Sequence, residues 1–518
     1  MASIAVTAFE PVKNRGMITV SIMLATIMTA LDTTIANVAL PHMAGSVSAS
    51  ADQITWVLTS YIIATAIMTP VTGWLAGRLG RKRVFVVSII GFTLASALCG
   101  AATSLPQIVL FRVLQGIFGA SMMPLSQAVM LDIFTLEERG PAMAVWGMGV
   151  MVAPIIGPVL GGWLTDDFSW RWVFYINLPI GIVCLAGVYS FLQDDKEVVK
   201  RRFDITGFAL LSVLLAAFQL FLDRGESNDW FHSTETQIEA AVAVVALVLF
   251  LIHSTLADKP FIPLDLFRDR NFAAASVLGI AVGLLVFSVL ALLPPMLESL
   301  LGYPVITTGL VTAPRGLGSL VSMFFAGRLI GRVDTRLIIL TGLSMFAVAF
   351  YQMSHFNLLM NAYLIASTGF IQGLGTGLVF MPMTTLAFAT LAPAMRADGT
   401  GVFTLVRNLG NSAGISIMQA IFTSNAQVVH ARLVQTLRPD NPAVISGGGQ
   451  GGLPIPFSFT TPTGLASLNG EVGRQAAMVA YIDVFHLMFL TTVAMTPLLL
   501  LLKPASQAQA SGSTAVEH

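Results

Sequence analysis

The sequence predicts an all-α integral membrane protein: fourteen transmembrane helices, arranged as two six-helix bundles with two further helices inserted between them. Three observations carry the prediction. Charged residues make up 10% of the 518, against about 25% in soluble proteins, and mean hydropathy is +0.80. Apolar segments of about 20 residues recur along the chain, the length that crosses roughly 30 Å of hydrocarbon at 1.5 Å per residue. Finally, sequence from the first half returns in the second at an offset near half the chain length.

The segments fall at about 17–40, 53–75, 84–103, 107–131, 141–164 and 172–192, which make the first bundle within residues 1–192. A linker opening Asp194-Asp195-Lys196-Glu197 leads to two inserted helices at about 204–222 and 237–256, within 193–271. The second bundle, 272–502, holds segments at about 272–297, 304–327, 336–353, 361–388, 399–423 and 480–502, with a long outer loop at about 425–475 and a tail at 503–518. That loop contains Ser446-Gly447-Gly448-Gly449-Gln450-Gly451-Gly452, too glycine-rich for a packed domain and a candidate partner contact. No small-residue cleavage site follows the first segment, so it is expected to remain as a span.

Placing both termini on one side puts nineteen Lys and Arg residues in loops of that side and five in the opposite loops. The positive-inside rule makes the richer side cytoplasmic. Zero net charge then reflects an uncharged interior and says nothing about partners. Cys99 and Cys184 both lie in spans, which implies neither a disulfide framework nor a metal site.

The repeat is read from three matches. Gly73-Trp74-Leu75-Ala76-Gly77-Arg78-Leu79 matches Gly327-Arg328-Leu329-Ile330-Gly331-Arg332-Val333 at an offset of 254. Gln115-Gly116 and Pro124 match Gln372-Gly373 and Pro382 at 257 and 258, and Arg139 matches Arg396 at 257. A constant offset indicates duplicated halves in the same orientation, an arrangement found in transporters with alternating access. It does not identify a cargo.

Within the first span, Thr26, Thr29, Asp32, Thr33 and Asn37 recur at three- to four-residue spacing and form a polar stripe. In a bilayer such a stripe faces protein or water. An intramembrane acid is costly and is functional by default. Asp32 lies about 12 Å below the outer end of its helix and Arg112 about 8 Å below the outer end of the fourth, by the helical rise. A long Arg side chain spans that difference. Pairing with Arg favours the ionised acid and burial alone the neutral one, so moving the pair would switch a proton on and off. The competing reading is a static ion pair.

Three runs resemble a known family. Leu31-Asp32-Thr33-Thr34-Ile35-Ala36-Asn37-Val38-Ala39-Leu40-Pro41 is similar to the first-helix signature of the 14-span drug:proton antiporters of the EmrB/QacA type, within the major facilitator superfamily. Trp170-Arg171-Trp172-Val173-Phe174-Tyr175-Ile176-Asn177-Leu178-Pro179-Ile180-Gly181 resembles the entry to its sixth helix. Leu222-Asp223-Arg224-Gly225, followed by Asp229-Trp230-Phe231, is most like the EmrB branch. The resemblance covers nearly the whole chain and implies the major facilitator fold.

It also implies roles. Arg112-Val113-Leu114-Gln115-Gly116 resembles a fourth-helix motif associated with proton transfer; the second half keeps Gln372 but has Gly369 where Arg112 stands. Gly157, Pro158, Gly161 and Gly162 resemble the antiporter motif of exporters, and their spacing alone permits close helix contact. Gly73, Arg78, Gly80 and Arg81 resemble a conformational-switch loop. That loop usually has Asp where this chain has Gly77, so these residues either brace the cytoplasmic side or only obey the positive-inside rule.

Candidate substrate-cavity residues are Thr33, Asn37, Gln115, Gln372, Arg407, Asn408 and Asn411, the last three either lining the cavity or bonding across helices. Arg315 is near mid-membrane without an acidic partner by depth. The expected function is proton-coupled efflux of hydrophobic or amphipathic compounds across a bacterial inner membrane, with Asp32 and Arg112 carrying the proton. No cofactor, metal site or catalytic group is expected. The resemblance implies an EmrA-type periplasmic adaptor and a TolC-type outer-membrane channel. Two alternatives are an exporter dedicated to one endogenous metabolite or fatty acid and a non-transporting receptor or scaffold.

Overall fold

The computed structural model describes residues 14–135, 138–193, 203–225, 228–258, 260–391, 395–437, 457–459 and 461–502. The first half comprises α1 (Arg15–Ser46), α2 (Trp56–Met68), α3 (Val71–Leu79), α4 (Arg81–Ala101), α5 (Leu105–Gly119), α6 (Met122–Ile133), α7 (Arg139–Asp167) and α8 (Asn177–Phe191). The inserted pair is α9 (Ile205–Gly225) and α10 (Thr234–Leu256). The second half comprises α11 (Arg270–Leu301), α12 (Val305–Leu329), α13 (Thr335–Met353), α14 (Ala362–Ala389), α15 (Arg396–Thr436) and α16 (Pro462–Met495).

Ten helical segments among the described residues are long and apolar enough to cross a membrane, or eleven if the bent pair α2–α3 is one span. That number is short of the fourteen expected crossings. α7, α12 and α15 have 29, 25 and 41 residues, the length of a crossing, but Gly, Pro and polar residues dilute them. Such composition suits helices buried among other helices, where lipid is not the solvent. α2 and α3 meet at Thr69-Pro70 with a 56° bend; proline there removes a backbone donor.

The segment 425–475, read from sequence as a loop, begins and ends as helix. α15 continues to Thr436, and α16 starts at Pro462 with the Thr461 hydroxyl accepting from the Gly464 amide. Good helix formers at Ala426–Leu433 carry α15 on, and proline is well placed in a first turn. The glycine run 446–452, the charged linker 194–202 and the tail 503–518 lie outside the described residues.

The internal repeat holds in three dimensions. A Cβ at Gly116 would lie 2.6 Å from the Tyr61 carbonyl oxygen and 3.2 Å from Thr65 Oγ1; one at Gly373 would lie 1.9 Å from the Arg315 carbonyl oxygen and 2.9 Å from Ser319 N. Tyr61 and Thr65 precede Arg315 and Ser319 by 254 residues, as Gly116 precedes Gly373 by 257. The same close crossing is thus built twice, α2 on α5 and α12 on α14. The copies differ at one point: α5 and α6 break at Ala120-Ser121, whereas α14 runs unbroken through Pro382.

α7 lies between the halves. On one side it meets α1, where a Cβ at Gly157 would fall 2.2 Å from Thr34 Oγ1 and one at Gly161 3.2 Å from Ile35. On the other it meets α12, with Gly147 against Met323 and Val159 against Gly309. Overpacking such a contact costs about 1–3 kcal/mol. Gly157→Val is expected to lower the melting temperature and slow transport, with partial rescue by Thr34→Gly; unchanged transport in Gly157→Val would show that this crossing does not move.

The apolar core is divided by end as well as by half. One cluster joins Val84, Phe85, Met130 and Trp146 of the first half to Ala326, Ile338, Leu378 and Met381 of the second. It lies at the end bearing the α3–α4 turn, where Gly80 takes φ 86°, a left-handed conformation that favours glycine. A second cluster, at the opposite end, contains Leu31, Ile35, Ala39, Met43, Val57 and Phe174, all from the first half. The halves therefore meet through apolar core at the Gly80 end.

Asp204 ties the inserted pair together at its base. It accepts from Gly207 N at 2.9 Å, from Phe261 N at 3.0 Å and from His253 Nε2 at 2.9 Å. Burial opposes its ionisation, but these donors outweigh it and hold the carboxyl below the usual range. Its contribution is thus present above the unfolded carboxyl value near about 3.9 and lost as pH falls through the lower folded value. Asp204→Ala is expected to cost about 1–2 kcal/mol, read as faster amide exchange at the start of α9; unchanged exchange would show that the cap is redundant.

Candidate functional site

α1 carries Asp32 on the face turned into its own half, and the carboxylate is 1% exposed. Three side chains reach it, each from a different direction or turn. Arg112 on α5 donates from Nη1 to Oδ2 at 2.5 Å. Gln115, one turn further along α5, donates from Nε2 to Oδ1 at 2.8 Å. Asn177, at the start of α8, donates from Nδ2 to the same oxygen at 2.8 Å. All three contacts place a donor against the acid, the geometry of an ionised carboxylate.

The cage has an outer layer that fixes its donors. Arg112 Nε donates to the Val57 carbonyl at 2.9 Å, and its Nη1 also reaches Gln115 Oε1 at 2.9 Å. The guanidinium lies 4.3 Å from the Tyr61 ring centre and 5.7 Å from that of Phe174, within cation–π range. Asn177 also donates to Ser96 Oγ at 3.0 Å, and Ser96 donates to the Phe174 carbonyl at 2.8 Å. Arg112, Gln115, Asn177 and Ser96 are fully buried. Even so, Arg112 Nη2 and Asn177 Oδ1 have no hydrogen-bond partner; each such buried atom costs about 1–3 kcal/mol.

Several sequence-based assignments change here. The stripe on α1 is not buried along its whole length. Thr26 and Thr29 are buried with Asp32, Thr26 donating to Ser126 Oγ at 2.7 Å; Thr33 is half-buried and Asn37 exposed. At about 100° per residue Thr33 and Asn37 return to within about 20° of the Thr26 direction, so they differ from Thr26 in position along α1 rather than in face. Gln115, assigned to the cavity, belongs to the Asp32 cage, because three residues from Arg112 is the same helix face. Asn177 lies in the run 170–181, and a lone amide in an apolar stretch is its only signal in the sequence. Tyr61 gave no signal without the α2–α5 crossing.

The second-half residues are spread out. Arg407 on α15 is 8% exposed and spans the interface, its Nη2 3.7 Å from Met123 Sδ of α6 and its guanidinium 5.0 Å from the Phe380 ring. Asn408 and Asn411 are half-buried, Asn411 packing against Gly283 of α11. Gln372 is fully buried with both amide atoms unpartnered.

In the turn region Gly73 lies within α3, Arg78 covers the Trp74 ring, and Arg81 forms an ion pair with Asp132 at the end of α6. That pair favours bracing of the turn over charge placement alone. Pro158 and Gly162 are half-buried in α7. A further carboxylate, Asp223 of α9, receives Thr59 Oγ1 from the first half at 2.7 Å and Gln219 Nε2 at 2.8 Å, while Ser412 of the second half donates to Gln219 Oε1 at 2.8 Å. The inserted helix thereby bridges both halves.

Comparison with known proteins agrees with this architecture. Residues 22–415 match the Major Facilitator Superfamily model. The chain is 38% identical over 426 residues to the multidrug export protein EmrB of Escherichia coli K12, covering 82% of this chain and 83% of that protein. It is 32% identical over 506 residues to the fatty acid resistance protein FarB of Neisseria gonorrhoeae, covering 96% and 98%. Among solved structures, the human organic anion transporter MFSD10 superposes with a TM-score of 0.57 at 13% identity, covering 92% of this chain and 99% of that one. A likeness at that identity concerns the fold alone.

Proposed function

We propose that this chain, which belongs to the Major Facilitator Superfamily, exports hydrophobic or amphipathic compounds in exchange for protons, with Asp32 as the proton site. The observation that carries the reading is the sealed Asp32–Arg112 pair inside one half of a duplicated helical bundle. A buried ion pair is weak evidence for stability, because desolvation of both charges offsets their attraction. In a membrane helix its better-supported use is functional.

A short mechanical path supports coupling. Protonating Asp32 removes the anion that holds Arg112, which then relies on the Val57 carbonyl, Gln115 Oε1 and the Tyr61 and Phe174 rings, and α1 loses its charged tie to α5. Two and three residues beyond Asp32, Thr34 and Ile35 press on Gly157 and Gly161 of α7. α7 is also the helix that contacts α12 of the other half. A shift of α1 therefore acts on the interface about which the halves rock. The Arg81–Asp132 brace and the apolar seal lie at the Gly80 end. Cargo is proposed to bind between the halves near Arg407, Asn408 and Asn411.

By resemblance to the EmrB branch, we place the chain in a bacterial inner membrane with cytoplasmic termini, working with an EmrA-type adaptor and a TolC-type channel. It requires no cofactor beyond the proton gradient. The similarity to FarB supports a narrower second reading, a dedicated exporter of one endogenous metabolite or fatty acid. Efflux from cells challenged with structurally unrelated dyes separates the two. Export of several supports the multidrug reading, and a single accepted compound overturns it.

A further inference from the structure

The duplicated crossing places two different chemistries at equivalent positions. In the first half, α2 presents Tyr61 and α5 presents Arg112 and Gln115, and together they surround the carboxylate of Asp32. In the second half, α12 presents Arg315 at the Tyr61 position and α14 presents Gly369 and Gln372 at the Arg112 and Gln115 positions. The arginine has moved to the other helix of the pair. A Cβ added at Gly369 would lie 3.6 Å from Arg315 Cβ, and glycine sends no side chain into the space that Arg112 fills in the first half.

Among the described residues, the second half brings no carboxylate to Arg315. α11, the counterpart of α1, carries one acid, Glu298, which is exposed and near its end. Among the described residues Arg315 makes no ion pair; its Nη1 is buried without a hydrogen-bond partner. Gln372 is fully buried with both Nε2 and Oε1 unpartnered. Buried polar groups are normally paired, and a charged one especially so. Here a cation and an amide stand unpaired where their counterparts hold an acid.

From this asymmetry we propose that Arg315 and Gln372 form a carboxylate-binding site, which takes the acidic headgroup of an amphipathic cargo. The ligand's carboxylate stands in for the Asp32 that the second half lacks. Arg315 is half-buried as a residue and its Nη1 is shielded from water. A charge-assisted bond at such a place is stronger than at the surface. The proposal rests on the export reading for its cargo, but the site itself is testable without transport.

The test is binding of radiolabelled dodecanoate and dodecanol to the purified full-length protein and to Arg315→Gln, Arg315→Lys and Gln372→Met. Wild type is expected to prefer the acid over the alcohol by about tenfold or more. Arg315→Gln should erase that preference while leaving dodecanol binding unchanged, Gln372→Met should reduce it, and Arg315→Lys should retain part of it. Equal affinities in wild type, or an equal loss of both ligands in Arg315→Gln, would overturn the proposal. So would displacement of dodecanoate by excess chloride in wild type only, which makes the place a small-anion site. Dye export without any preference for dodecanoate defeats this inference alone. Preference without export of any compound supports the site and defeats the export reading.

Discussion

Asp32→Asn is expected to abolish transport driven by a pH gradient, by about a hundredfold or more, while substrate counterflow without a gradient persists. The substitution keeps size and the Oδ1 acceptor, so Gln115 and Asn177 retain a partner, while the oxygen that Arg112 meets becomes an amide donor. It removes the one carboxylate of the cage, the only acid among the groups that meet Arg112 there. Binding and rocking of the halves need no net charge change at that site, but proton exchange does. Reconstituted protein assayed in both modes distinguishes the outcomes. Equal loss in both modes would indicate a structural defect, and intact gradient-driven transport would place the proton elsewhere.

Arg112→Leu is expected to destabilise the protein by about 3–5 kcal/mol at neutral pH, because it leaves a buried carboxylate unpaired. The sign of its pH dependence follows from the chemistry of the survivor. Asp32 can take up a proton as pH falls, so the penalty in Arg112→Leu should shrink towards acid. In Asp32→Asn the survivor is an arginine that does not deprotonate in this range, so that penalty should stay flat with pH. The double variant should be less destabilised than the sum of the two singles. Thermal melts of all four proteins across pH test this; a flat profile for Arg112→Leu would contradict the pairing.

Much of this was legible in the sequence for a geometric reason. The rise of a membrane helix is fixed, so the depths of Asp32 and Arg112 follow from counting residues, and their pairing follows from depth. The offset between halves was likewise readable, and the α2–α5 and α12–α14 crossings bear it out. What counting does not give is rotation about each helix axis. Gln115, expected in the cavity, therefore faces Asp32 instead, and the greater exposure of Thr33 and Asn37 reflects their position along α1. Asn177 was missed because its role depends on where α8 starts, which only the packing against α4 and α1 decides. Arg315 has no acidic partner by depth, and among the described residues its Nη1 has no hydrogen-bond partner.

The most direct test of proton coupling through Asp32 is proton release from purified protein when an exported compound is added in weakly buffered detergent. The account predicts release of about one proton per molecule from wild type in the range where Asp32 begins protonated, and none from Asp32→Asn of equal folded content. Equal release from both proteins would contradict it.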